Sequence, residues 1–246
     1  MSKHTFTQIS CPNCERQSGT ILWESINAKS TPAIKEKLLK GTLFDFICPF
    51  CHETILLNYP FYYHDPDNKI IIFYAPDEET GEDALTKIEE FKETYDDYRY
   101  RIVAVQESVR EKALIYDIGL DDSTIEVFKV FALYDLKHEM PFVDVDEVYF
   151  FINEETGAYC LQFFDDEAFV IEYDPEVYNK IIEDFADWVN DEELKQNYFG
   201  LNRIGLLRQL QDMEREIADK LEEAEEQMEK IEKEKDKKKK GKTYVS

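Results

Sequence analysis

Two short motifs carry the residue types and spacing best suited to chemistry: Cys11-Pro12-Asn13-Cys14 and Cys48-Pro49-Phe50-Cys51. Together they use four of the five cysteines in the chain. Two CxxC pairs in one chain read as a single four-thiolate zinc site. Zinc takes four tetrahedral ligands with Zn–S about 2.3 Å, and each CxxC turn supplies two sulfurs from one side. A site closed by four cysteines has no open position for a substrate. Cys11, Cys14, Cys48 and Cys51 are therefore expected to hold one zinc ion, and its role is expected to be structural.

Three other chemistries use the same residues. A thioredoxin-like dithiol needs one CxxC at the start of a helix in a βαβ setting. Here there are two, each with proline after the first cysteine, which suits the tight turn of a metal knuckle. Cys48-Pro49-Phe50-Cys51-His52 also matches the CxxCH of c-type haem attachment. That chemistry requires export, and the N-terminal MSKHTFTQIS has no apolar core of a signal peptide. His52 could replace a cysteine as ligand, but its position beside Cys51 makes the geometry awkward. Disulfides are not expected without an export signal. Cys160 lies in an apolar stretch and reads as a buried, inert thiol.

The elements that must position the four sulfurs can be read around them. A strand over Thr5–Ser10 enters the first knuckle and one over Thr20–Ile26 leaves it. Thr42–Ile47 leads into the second knuckle and Thr54–Tyr59 leaves it. The 33 residues from Glu15 to Ile47 exceed the roughly 15–20 of a simple ribbon. Thr31-Pro32-Ala33-Ile34 accounts for the excess by opening a helix, with a polar cap and proline at its first position. Ile34, Leu38 and Leu39 share its apolar face, and Gly41 ends it.

Beyond the knuckles, Tyr59–Asp65 is aromatic and Asp65-Pro66-Asp67-Asn68 is a turn. Lys69–Tyr74 is a strand. Helical spacing follows over Asp77–Tyr98, a strand over Tyr100–Val105 and a helix over Glu107–Tyr116 stopped near Gly119. Asp121-Asp122-Ser123 caps a helix running to about Lys137. Val145–Asn153 and Ala158–Phe164 flank a hairpin turn at Glu154–Gly157, and Phe169–Tyr173 is a further strand. Pro175–Asn190 is helical. Helices and strands without regular alternation predict an α+β fold. The expected division is a zinc-ribbon-like module with an inserted helix over 1–76, an α+β body over 77–200, and a long helix with a Lys-rich tail over 201–246.

That last segment has its own logic. Leu206, Leu210, Met213, Ile217, Leu221, Ala224, Met228 and Ile231 recur at three- and four-residue steps, which makes one long amphipathic helix. Leu210, Ile217, Ala224 and Ile231 keep a seven-residue register, while Lys220 and Gln227 interrupt the second stripe of a coiled coil. Such a stripe is expected to cover itself by self-association or on a protein partner. Lys237–Lys240 and the residues after them read as a disordered tail.

Composition narrows the function classes. With 54 acidic and 29 basic side chains the net charge is −25. That field repels phosphate backbones and argues against nucleic acid. No apolar run approaches the ~18 residues of a membrane span. There is no phosphate loop, GxSxG, HExxH or EF-hand spacing. His64-Asp65 is a candidate general base or ligand, although a turn role, with Asp65 capping the Asp-Pro turn, is the more common use of such a pair.

The N-terminal half resembles the CpXC proteins, a bacterial and archaeal family named for two CPxC motifs. The resemblance rests on CPNC, Glu24–Asn27, Thr31–Cys51, Tyr59–Asp65 and Gly119–Leu133, and covers about residues 1–135. It implies a zinc-ribbon-like module with Cys11, Cys14, Cys48 and Cys51 as its defining cysteines, and implies no activity. Glu15 and His52 follow the knuckles where ribbons commonly have glycine. The expected function is a non-enzymatic, cytoplasmic zinc protein that binds other proteins. The alternative is a metal-dependent or His/carboxylate enzyme around His64. A nucleic-acid-associated factor is the third reading.

Overall fold

The computed structural model describes residues 2–140, 145, 147–153, 155–164, 168–173, 175–184 and 186. The features expected over 201–246 lie outside the described residues. The chain opens with a long antiparallel hairpin, β1 (Lys3–Ser10) and β2 (Gln17–Asn27), whose turn is the first CPxC motif. α1 (Pro32–Leu39) follows, then a short hairpin of β3 (Asp45–Ile47) and β4 (Thr54–Leu56) whose turn is the second motif. Next come β5 (Phe61–Asp65), β6 (Ile70–Tyr74), α2 (Glu78–Lys92) and β7 (Arg99–Val103). Two helices, α3 (Gln106–Asp117) and α4 (Asp122–Glu139), lead to β8 (Glu147–Ile152), β9 (Tyr159–Phe164), β10 (Ala168–Tyr173) and α5 (Pro175–Asp184). The fold class is α+β, as the pattern of elements predicts.

The main sheet has five strands in the order β1-β2-β5-β6-β7. β2 and β5 are parallel, as are β6 and β7; the other two pairs are antiparallel. A parallel pair needs a crossover. α1 with the β3–β4 hairpin crosses from β2 to β5, and α2 crosses from β6 to β7. β6 reads Ile-Ile-Ile-Phe-Tyr and is buried at every position, as a strand covered on both faces must be. Ile70, Ile72 and Tyr74 pack with Leu38 of α1 and Val109 and Ala113 of α3. Ile71 and Phe73 pack with Ala84 and Ile88 of α2 on the opposite face. The sheet and its core thus draw on both sides of residue 76.

Local signals explain the helix boundaries. Asp77 caps α2 by accepting the Thr80 N–H at 2.9 Å, in a capping box. Gly41 sits at φ 70° after α1, with Gly41 N–H to Leu38 O and Thr42 N–H to Lys37 O both at 3.0 Å. This is the Schellman arrangement, for which glycine is favoured. Thr31 precedes α1 as expected, but its hydroxyl donates to Asn27 O at 2.8 Å and does not cap the helix. α2 is shorter than the Asp77–Tyr98 periodicity suggests, because the chain turns over Phe91, whose carbonyl accepts from both Thr94 and Tyr95. The second sheet, β10-β9-β8, is antiparallel throughout.

Candidate metal centre

The β1–β2 and β3–β4 turns bring the two CPxC motifs together. The Sγ atoms of Cys11, Cys14, Cys48 and Cys51 all lie within 4.8 Å of one another. Across motifs, Cys11 and Cys51 are 3.6 Å apart, and Cys14 and Cys48 are 3.7 Å apart. Sulfurs about 2.3 Å from the centre of a tetrahedron are separated by about 3.8 Å. The cluster therefore has the size and donor set to hold a metal ion. Ile9, Phe46, Ile55 and Leu57 pack around it. Cys11 and Cys48 are buried and Cys14 and Cys51 half-buried.

The two knuckles repeat one backbone design. Cys11 N–H donates to Arg16 O at 3.0 Å and Glu15 N–H to Cys11 O at 2.8 Å. Cys48 N–H donates to Glu53 O and His52 N–H to Cys48 O, each at 2.9 Å. The residue after the second cysteine is left-handed in both, Glu15 at φ 58° and His52 at φ 61°. These are the positions where glycine is expected, and a side chain there is strained. The His52 side chain is exposed and outside the sulfur cluster, so the ligand set among the described residues is the four cysteines. Arg16, just past the first knuckle, lies over the ring of Phe50 in the second, 5.2 Å from its centroid. This cation–π contact ties the two turns together.

Proton affinity differs among the thiols. The Phe50 N–H, aided by that of Cys51, lowers Cys48 to about 6 against the cost of burial. At Cys14 the Arg16 N–H also pulls downward, but burial and the neighbouring sulfurs outweigh it and push the thiol up to about 11. Metal binding at such a cluster releases the protons that remain.

The family model described as CpXC protein matches residues 9–129, a span that contains all four cysteines and ends within α4. Over that span the chain is similar to the CpXC family. No curated protein and no solved structure matches it. The CpXC segment thus takes in both knuckles, the five-stranded sheet from the end of β1 onward and the helices packed on it.

His64 and Asp65 are neighbours in β5 and so point to opposite faces of the sheet. Asp65 accepts from Asp67 N–H at 3.1 Å, Asn68 N–H at 3.2 Å and the Tyr63 hydroxyl at 3.1 Å. It is the turn residue of Asp65-Pro66-Asp67-Asn68. Burial alone would raise its pKa, but the Asn68 N–H and Lys35 hold it below the ordinary range. His64 lies under Tyr95 and Tyr98, with ring centroids 5.2 and 5.5 Å away. Asn27 Oδ1 accepts the Ser30 N–H at 2.9 Å, so Asn27 Nδ2 faces His64 Nδ1 at 3.4 Å. Nδ1 is thereby the acceptor and Nε2 carries the proton, buried and without a hydrogen bond among the described residues. Burial lowers the His64 pKa and keeps the ring neutral. A cavity of about 120 Å3 beside it has no carboxylate in its lining. The two residues do not form a dyad.

Sequence reasoning missed a buried ion network between β7, α3 and α4. Asp122, the first residue of α4, is 1% exposed. It accepts from Arg101 Nε at 2.6 Å and Nη2 at 2.9 Å, from Lys112 Nζ at 3.1 Å and from the Tyr116 hydroxyl at 2.5 Å. Beyond it, Lys129 pairs with Glu111 at 2.5 Å and Glu126 at 3.2 Å, and Glu111 accepts the Phe150 N–H of β8. Burial would raise Asp122, but Lys112 and Arg101 hold it far below the usual carboxylate range. The available signals were Arg99 and Arg101 two apart in a strand, and Glu126 and Lys129 inside the apolar run Ile125–Leu133. Cys160 is fully buried and burial raises its thiol, in keeping with an inert role.

Proposed function

We propose that the chain is a non-enzymatic protein-interaction module organised by one structural zinc ion, held by Cys11, Cys14, Cys48 and Cys51 as thiolates. The observation that carries this reading is the pair of cross-motif sulfur separations, 3.6 and 3.7 Å, which match a tetrahedral thiolate site. The two knuckle hairpins then form a zinc-ribbon-like unit, with α1 inserted between them. A four-thiolate site offers no open coordination position, so zinc here supplies folding energy and no Lewis-acid step. Free thiolates also suit a reducing, cytoplasmic setting.

The interaction half of the proposal is supported by what the hairpins expose. Phe6 is 67% exposed, Ile47 62% and Leu56 65%. Ile47 and Leu56 are diagonal neighbours on one face of the β3–β4 ribbon, by the register Asp45↔Leu56 and Ile47↔Thr54. A net charge of −25 favours a basic protein partner over nucleic acid. No helix among the described residues is long and apolar enough to cross a membrane. Self-association through the amphipathic stripe of 202–235 completes the proposal. Ile217→Asp in the full chain converts a dimer to a monomer in light scattering with zinc content unchanged; a wild type already monomeric at high concentration contradicts it.

The zinc reading is tested by metal analysis of purified protein. Wild type carries about one zinc per chain, and Cys48→Ser loses it and aggregates, because metal binding is folding energy at such a site. A well-folded, metal-free wild type overturns the reading.

A further inference from the structure

Between α3 and the outer face of the three-stranded sheet lies a cleft of about 340 Å3. That is within the roughly 300–1,000 Å3 of small-molecule sites. Strand alternation makes its floor. Val148, Phe150, Leu161 and Phe163 are buried, while Tyr149, Phe151 and Phe164 between them are half-buried and line the cleft. One stripe of α3, with Glu107, Glu111 and Leu114, makes the wall.

The polar groups here are not equally available. Glu111 is committed to Lys129 and to the Phe150 N–H. Arg110 and Gln162 also line the cleft; Arg110 Nε donates to Leu39 O at 2.7 Å and its Nη1 lies against Gly41, so that cation is held at the α1 side. Glu147 accepts the Tyr149 hydroxyl at 2.8 Å. Glu107 is exposed and has no ion pair among the described residues. The floor is therefore two rings in edge-to-face contact, Tyr149 and Phe164 at 5.8 Å, beside one uncommitted carboxylate. The Tyr149 phenol reports the field at that floor: burial first, then Glu147, Glu107 and Glu111, push its pKa up.

Ring faces and a carboxylate attract the same charge. A cation over an aromatic face is attracted by the ring quadrupole, and more so as it is desolvated. An anion meets repulsion from both, and a neutral apolar ligand gains nothing from Glu107. The acidic surface of the whole chain raises the local concentration of cations further. We propose that this cleft binds a small organic cation of the quaternary ammonium class, seated on Tyr149 and Phe164 with Glu107 as its counter-charge.

The test is proton NMR of choline titrated with the full-length protein, with 3,3-dimethylbutan-1-ol as the neutral isostere. The choline methyl signal shifts upfield on binding, in the millimolar range or tighter, and the isostere binds about tenfold more weakly. Glu107→Gln and Tyr149→Leu each weaken choline about tenfold, and circular dichroism checks that each variant is folded. Equal binding of the isostere, no effect of Glu107→Gln in folded protein, or no choline shift at millimolar concentration overturns the proposal. None of these outcomes depends on whether Cys11, Cys14, Cys48 and Cys51 hold zinc.

Discussion

Asp122 is the residue on which the packing of α3, α4 and β7 turns. Its carboxylate is buried and takes donors from Arg101, Lys112 and Tyr116. Removing one member of a buried ion network leaves its partners charged and desolvated, at about 3–5 kcal/mol. Asp122→Asn is expected to lose stability on that scale in urea unfolding at pH 7. The pH dependence follows from the depressed pKa. A carboxyl depressed in the folded state contributes fully above its unfolded value of about 3.9 and less as pH falls below it. The gap between wild type and Asp122→Asn therefore narrows from pH 7 to pH 3; a gap that widens contradicts this account. Residue scale is also where legibility was most uneven. The four cysteines were readable because two CPxC spacings admit few chemistries. The partners of Asp122 were not, since nothing local says that Arg101 or Lys112 is buried. His64 and Asp65 were adjacent in sequence, which made the pair a candidate general base or ligand, yet strand alternation sends them to opposite faces.

Among the elements, the knuckle turns show the sequence working against its own backbone. Glu15 and His52 occupy left-handed positions with φ 58° and 61°. That conformation costs a non-glycine residue about 1–2 kcal/mol, against which glycine loses about 0.5–1 kcal/mol of chain entropy on folding. Glu15→Gly and His52→Gly are each expected to stabilise the metal-loaded protein by about 0.5 kcal/mol, read as a higher denaturation midpoint. Destabilisation by both would show that these side chains make contacts worth more than the strain. The helices were legible from their caps: Asp77, Asp121, Gly41 and Gly119 each stand where the sequence predicts a boundary. β5 was not. Phe61-Tyr62-Tyr63-His64 is a run of rings with no polar alternation, because β5 lies between β2 and β6 with cover on both faces. A strand of that kind carries little periodic signal.

For the molecule as a whole, the α+β class followed from the order of elements, whereas the sheet order did not. β2 reaches β5 across α1 and the second knuckle, so the hairpin that completes the cysteine cluster is itself the crossover of the main sheet. This ties the metal centre to the fold. Closing the sulfur cluster fixes β3–β4 against the β1–β2 turn, and the same segment delivers the chain to β5. The residues between the motifs thus hold β2 and the first half of a crossover, a fact that spacing alone cannot convey. In the proposed site these four thiolates, and no other atoms, surround one zinc ion. X-ray absorption at the zinc edge of the purified protein tests it most directly. A first shell of four sulfurs at about 2.3 Å, with no nitrogen or oxygen, is expected. A shell containing a light-atom ligand, or protein that binds no zinc, would contradict it.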